Sequence, residues 1–224
     1  MWRRWSESER YLTEVSLNMR SHTSPNLTGR CRRCFLPTRY CLCDAVPRVE
    51  TRARFVIVRH AREIWKSTNT GRLAALALSH CELRTYGGPD SALSLEDLAR
   101  AGSWLLFPGS PEGDAGITEA RQIVVLDGTW HEARHMLNRL KPLAGLPRLS
   151  LAAPAIGINR LRRSPFPAAM STLEAIGRAV ALLEGEAVAA PLATLHAMIV
   201  ERVLATRGKF PATSASRRSS LPVL

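Results

Sequence analysis

Two groups of residues have types and spacings that carry chemistry. The first is a set of four cysteines: Cys31-Arg32-Arg33-Cys34, a six-residue spacer containing Pro37, then Cys41-Leu42-Cys43. Four thiolates this close in sequence can wrap one tetrahedral ion. Zinc is favoured over an iron–sulfur cluster, because the tight spacing is that of a structural knuckle and no other feature points to redox chemistry. A site closed by four protein ligands leaves no position for substrate, so Cys31, Cys34, Cys41 and Cys43 are expected to hold a structural zinc. Free or redox-active thiols are the alternative. The neighbouring Arg30, Arg32, Arg33 and Arg39 would then be displayed on a metal-stiffened lobe suited to gripping phosphates. Cys81, alone at the start of a β-like run, reads as an inert core residue.

The second group is Asp127-Gly128-Thr129-Trp130, which follows the apolar run Val124-Val125-Leu126. It sets a carboxylate at the carboxyl end of a buried strand, where parallel sheets bind ligands, with a glycine for the turn and a helix starting at once. The bland alternative is that Asp127 or Thr129 only caps that helix. Aspartyl-phosphate phosphatases also end an apolar strand in DxDGT, but the nucleophile position of that motif is Val125 here, so that chemistry is excluded. No GxGxxG follows a strand and no GxxxxGK[ST] occurs.

The elements that must position these groups alternate between strand and helix. Ala53–Val58 is short and β-rich, and residues 69–79 (NTGRLAALALS) have helical composition. Cys81–Tyr86 is a strand stopped by Gly87-Gly88-Pro89, Ser94–Leu98 a capped helical turn, and Ser103–Phe107 a strand stopped by Pro108-Gly109. Gln122–Leu126 is apolar enough for a strand buried on both faces, Thr129–Leu140 is a helix closed by Pro142, and Pro147–Leu151 is a last short strand. Ser171-Thr172-Leu173-Glu174 is a capping box opening a helix to about Glu184, and Pro191–Thr206 is a second amphipathic helix. This alternation predicts an α/β fold: a mostly parallel sheet flanked by helices, with a small N-terminal four-cysteine zinc knuckle. Ligands should sit at the loops after Phe107, Leu126 and Leu151. The expected organisation is a flexible lead-in over 1–28, the knuckle over 29–50, an α/β catalytic domain over 51–206 and a basic tail over 207–224.

Composition narrows the function class. The 224 residues include 31 Lys plus Arg against 19 Asp plus Glu, a formal net charge of +12 carried mostly by arginine, which points to polyanionic partners and to nucleic acid first. The 46% hydrophobic content supports a sizeable core. The longest uninterrupted apolar runs fall far short of the ~20 residues of a membrane span, so no membrane partner is expected. The basic start lacks the apolar stretch of a signal peptide, which predicts a cytoplasmic location. Oligomeric state is not legible, with a monomer slightly favoured.

Asp127-Gly128-Thr129-Trp130 matches the DxTW pattern of the DTW-domain proteins, the tRNA-uridine aminocarboxypropyltransferases. The two cysteine pairs, His60 with Glu63 ahead of Ser67–Leu73, Phe107–Ser110, Leu126–Met136, Leu146–Leu149 and Ser171–Ala175 resemble that family's blocks in order, over about residues 28–205. One departure is Asn159, where the family tends to carry a tyrosine before the basic stretch Arg160-Leu161-Arg162-Arg163.

The resemblance implies a SPOUT-like enzyme, related to the knotted methyltransferases of that kind, in which the residues themselves do not show a knot. It would move the 3-amino-3-carboxypropyl group of S-adenosylmethionine onto N3 of a tRNA uridine and release methylthioadenosine. It makes Asp127, Thr129 and Trp130 candidate catalytic residues. Asp127 would take or orient the N3 proton, or hold the donor's α-amino group. Trp130 would stack on adenine or on the target base, or sit in the core. Phe107, Pro108, Gly109, Ser110, Asp127, Gly128, Leu149, Ser171 and Thr172 are candidates for binding S-adenosylmethionine, with helix capping the alternative for the last two. Arg32, Arg33, His60, Asn69, Arg72, Arg160, Arg162 and Arg163 are candidates for tRNA contact. Two competing readings stay open: methyl transfer from the same donor, and a zinc-stabilised RNA-binding module without catalysis.

Overall fold

The computed structural model describes residues 27–88, 93, 95–108, 119–152, 161 and 170–208. Gly109, Ser110, Arg160, Arg162 and Arg163 lie outside the described residues, as does most of both tails. Five strands form one all-parallel sheet: β1 (Arg54–His60), β2 (Cys81–Tyr86), β3 (Ser103–Leu106), β4 (Gln122–Asp127) and β5 (Arg148–Leu149), in the order β2-β1-β4-β3-β5. The continuous apolar runs of β1 and β4 make them the central pair, since only a strand covered on both faces can be apolar at every position.

Alternation along these strands sorts their side chains onto two faces. Phe55, Ile57, Ile123, Val125, Leu106 and Leu149 join one core cluster with α1 (Gly71–Ala77), α5 (Thr172–Glu184) and α6 (Glu186–Thr206). Val56, Val58, Val124, Leu126 and Leu105 join a second with α3 (Trp130–Arg139), Leu98 of α2 (Leu95–Leu98) and Leu143 of α4 (Lys141–Ala144). The result is a sheet between two helical layers. Asp127 continues the Ile123 and Val125 series and faces α1 and α5, whereas His60 continues Val56 and Val58 and faces α3.

The chain leaves β1 toward β2 at one edge and leaves β4 toward β5 at the other. Between two neighbours whose outgoing connections diverge, the carboxyl ends open a crevice, the usual ligand position of such sheets. Arg59 of β1 and Asp127 of β4 are register partners there.

Two expectations are corrected. The last helix begins at Glu186, not at Pro191, which lies inside it. Ala187, Ala189 and Ala190 favour helix strongly, and Gly185, at φ 96° and ψ 160°, makes the break from α5 in a conformation open to glycine. Second, α6 is long and apolar enough to cross a membrane by length and composition alone (mean hydropathy 1.4). Counting uninterrupted apolar runs missed this. Its Leu192, Leu195, Ile199 and Val203 are buried in the main core.

The cysteine segment shares that core: Cys34, Leu36 and Leu42 cluster with Phe55, Leu73 and Ala77. Its hairpin closes through Cys31 N–H to the Leu36 carbonyl (2.9 Å) and Phe35 N–H to the Cys31 carbonyl (2.9 Å), with Phe35 in the left-handed region at φ 62°.

Candidate active site

Asp127 is 3% exposed at the end of β4. Thr172 Oγ1, in the first turn of α5, donates to Oδ1 at 2.5 Å, and Asn69 Nδ2, just ahead of α1, donates to Oδ2 at 2.6 Å. Asn69 is itself oriented by accepting the Arg72 backbone N–H through Oδ1 at 3.1 Å. The α1 backbone comes so close that a Cβ on Gly71 would lie 2.6 Å from Asp127 Oδ2, so glycine is required there. Burial raises the Asp127 carboxyl above the ordinary range of about 3.9, outweighing the two donors; nearby Glu63 raises it further and Arg59 opposes. A fixed carboxylate with a raised pKa is a competent proton acceptor.

Beside it lies a group of charged side chains, Glu63 and Arg72 buried and Arg59 and Lys66 half-buried. Glu63, 1% exposed, pairs with Lys66 at 2.5 Å. The Arg72 guanidinium donates to the Ile64 and Lys66 carbonyls and covers the Phe35 ring at 3.8 Å, and Phe35 stacks on Trp65 at 5.4 Å. Burial and the nearby Arg59 lower Arg72 to about 10, still charged at neutral pH. Arg59 donates through one terminal nitrogen to Thr85 Oγ1 at 3.2 Å, while its buried Nε has no hydrogen-bond partner among the described residues.

On the α3 side, Thr129 caps the helix in a full capping box. Its Oγ1 accepts the Glu132 N–H (3.3 Å) and donates to Glu132 Oε2 (2.9 Å), and its own N–H reaches the same oxygen at 2.8 Å. Gly128 admits the Glu132 side chain, whose Cβ would lie 3.0 Å from a Cβ at that position. His60 Nδ1 accepts the Arg62 N–H at 3.2 Å and lies 3.7 Å from Glu132 Oε1; burial lowers its pKa, keeping the ring neutral. Trp130 is 37% exposed and stacks on Phe107 at 5.3 Å and 16°, with the Arg148 guanidinium 5.9 Å from the Phe107 ring. An exposed indole backed by a second ring is a platform for a flat base.

The candidates divide accordingly. Asp127, Asn69 and Thr172 come together. Gly128 and Thr129 shape the turn, and Thr129 is a cap, its hydroxyl committed to Glu132. Ser171 caps α5, accepting the Glu174 N–H at 3.2 Å. Leu149 of β5 and Phe107, just past β3, are buried, and Pro108 is exposed. Asn69 (3% exposed) and Arg72 (7%) are not surface groups available to RNA; they are buried under the carboxylate, because α1 starts against it. Arg32 and Arg33 are exposed.

The sequence reading missed Arg59, which looks like an ordinary polar strand end. It also missed the outer face of α3, where His131, Arg134, His135 and Arg139 are exposed while the helix's one carboxylate, Glu132, is buried. A count of acids and bases by helical face would have found it.

The four cysteine Sγ atoms lie within 4.8 Å of one another, with Cys31 to Cys43 at 3.5 Å and Cys34 to Cys41 at 3.8 Å. Tetrahedral thiolates at a Zn–S length near 2.3 Å would be about 3.8 Å apart. Backbone N–H groups of Arg33 and Cys43 point at Cys31 and Cys41 Sγ (3.4 and 3.5 Å). Burial works against ionising Cys31, but backbone N–H groups of Cys34 and Arg33 bring it down to about 6. Burial and neighbouring sulfurs push Cys43 and Cys41 up. These residues fit one metal ion. Cys81, pushed up to about 12 by burial, is inert.

Residues 28–204 match the family described as the DTW domain. Over 175 residues the chain is 27% identical to tRNA-uridine aminocarboxypropyltransferase 2 of Drosophila melanogaster, covering 71% of this chain and 68% of that protein. No solved structure matches.

Proposed function

The chain belongs to the DTW domain family, and from that membership we propose that it is a transferase acting on tRNA, moving the 3-amino-3-carboxypropyl group of S-adenosylmethionine onto N3 of a uridine. In that reaction the N3–Cγ bond forms as the Cγ–S bond breaks, the sulfur keeps the electron pair and departs in methylthioadenosine, and the N3 proton goes to a base. The observation that carries the reading is the buried, doubly hydrogen-bonded Asp127 at the crevice between β1 and β4, followed three residues later by an exposed stacked indole.

Each residue then has a task. Asp127 takes the N3 proton, its pKa raised toward the working range by burial. Asn69 and Thr172 hold it in one orientation, which matters because in-line attack leaves little tolerance for displacement. Trp130, backed by Phe107, stacks on the target base. The exposed arginines of the cysteine hairpin and of α3 bind tRNA phosphates, and the four cysteines hold one structural zinc.

The test compares wild type with Asp127→Asn, given donor and unmodified tRNA and followed by methylthioadenosine release. Asparagine keeps the shape, so the fold survives while the rate falls by ~10²-fold or more, as for loss of a general base. Unchanged donor affinity supports proton transfer at uridine. Weakened donor affinity assigns the carboxylate to the donor's amino group instead, and full activity removes Asp127 from catalysis.

A further inference from the structure

The charged side chains around Asp127 are unevenly partnered. Arg59, Arg72 and Lys66, whose side chain is 41% exposed, lie near two buried carboxylates, Glu63 and Asp127. Lys66 is paired with Glu63, and Arg72 is spent on two carbonyls and an aromatic ring. The Asp127 oxygens receive neutral donors from Asn69 and Thr172. Arg59 feels the charges of Asp127 and Glu63, but among the described residues its one side-chain hydrogen bond goes to the neutral Thr85 and its buried Nε bonds to nothing. An unmet donor on a buried charged group costs more than one on a neutral group, so it persists where something else satisfies it. Arg59 sits on the same face as Asp127, one strand over and directly opposite in register, in the crevice where this sheet receives ligands.

We propose that Arg59 is the receptor for the α-carboxylate of the donor's methionine portion, a positioning residue that fixes the aminocarboxypropyl chain beside Asp127. The inference rests on the function proposed above. S-adenosylmethionine carries one carboxylate, and a guanidinium can take a carboxylate in fork geometry, which a lysine cannot do. Anchoring that end also sets which carbon on the sulfonium faces the uridine. With the carboxylate held in the crevice, the γ-carbon rather than the methyl is presented.

The test is a binding cycle by calorimetry with three probes: S-adenosylmethionine, its decarboxylated form, and methylthioadenosine, which lacks the whole chain. Wild type should bind the decarboxylated form ~10²-fold more weakly than the donor, and Arg59→Gln should lose most of that discrimination while binding methylthioadenosine within a few-fold of wild type. Arg59→Lys, which keeps charge and stem, should give an intermediate discrimination. The wild-type comparison needs no variant to fold: equal affinity for the donor and its decarboxylated form overturns the proposal. So does an Arg59→Gln chain that discriminates as wild type does, or one that loses all three probes alike. Failure of wild type to bind either the donor or methylthioadenosine overturns the proposed function itself, and this inference with it.

Discussion

Asp127 was legible because an acid ending a fully apolar run has few reasons to be there other than chemistry or capping, and the capping role falls to Thr129. Its partners were not legible as partners: Asn69 is 58 residues away and Thr172 is 45, and only the fold brings them to one carboxylate. Gly71 gives the sharpest test of that assembly. Glycine to alanine inside a helix ordinarily gains about 1 kcal/mol, but here the added methyl would strike Asp127 Oδ2. Gly71→Ala should therefore show no rise in melting temperature, and transfer should fall by roughly 10²-fold through displacement of the carboxylate. A second prediction follows from the raised Asp127 pKa. Below that pKa the carboxyl is protonated and cannot accept the N3 proton, so the rate should fall as pH drops, with a midpoint above about 3.9. A pH–rate profile in donor excess measures it, and Thr172→Val, which removes one stabilising donor, should move the midpoint upward.

At the scale of elements, all five strands were readable to within a residue or two, the central pair because a strand covered on both faces is apolar along its length, the others because they end at turn signals. The fifth keeps only Arg148–Leu149 of the expected Pro147–Leu151. The start of α6 was misread because Pro191 suits a first helical turn, and the sequence pattern alone does not show that Gly185 makes the break. Gly185→Ala should cost about 1–3 kcal/mol, read by denaturant unfolding, because φ 96° with ψ 160° is nearly closed to residues with a Cβ. The cysteine segment reads from sequence as a separate lobe. In the structure Cys34, Leu36 and Leu42 belong to the main core, and the Phe35 ring touches Trp65 and Arg72. Elemental analysis should find about one zinc per chain, and chelation should lower the melting temperature by ~10 °C or more, as for losing a few kcal/mol from a domain of this size. Donor affinity should fall with it, since Arg72 orients Asn69 and Asn69 orients Asp127. Unchanged donor binding after metal removal would separate the two sites.

For the whole molecule, the fold class followed from the alternation of strands and helices, whereas the order β2-β1-β4-β3-β5, which creates the crevice, is not encoded in any local pattern. The net charge of +12 points to a polyanionic partner but not to its path. The exposed bases on α3 begin beside Trp130 and run along one helix with no exposed acid, so under the proposed function this face would carry the tRNA phosphates toward the site. Affinity for tRNA should fall steeply with salt, and Arg134→Ala with Arg139→Ala should flatten the slope of log affinity against log salt by roughly one unit for each phosphate no longer neutralised. Arg32→Ala with Arg33→Ala should do the same from the hairpin side, and donor affinity should be unmoved in both pairs. The central claim is that this chain transfers an aminocarboxypropyl group to uridine. Mass spectrometry of nucleosides from unmodified tRNA, incubated with the wild-type chain and S-adenosylmethionine, tests it most directly. The expected result is a uridine carrying the aminocarboxypropyl group, formed in step with methylthioadenosine; a methylated nucleoside with S-adenosylhomocysteine, or tRNA bound but unchanged, would contradict it.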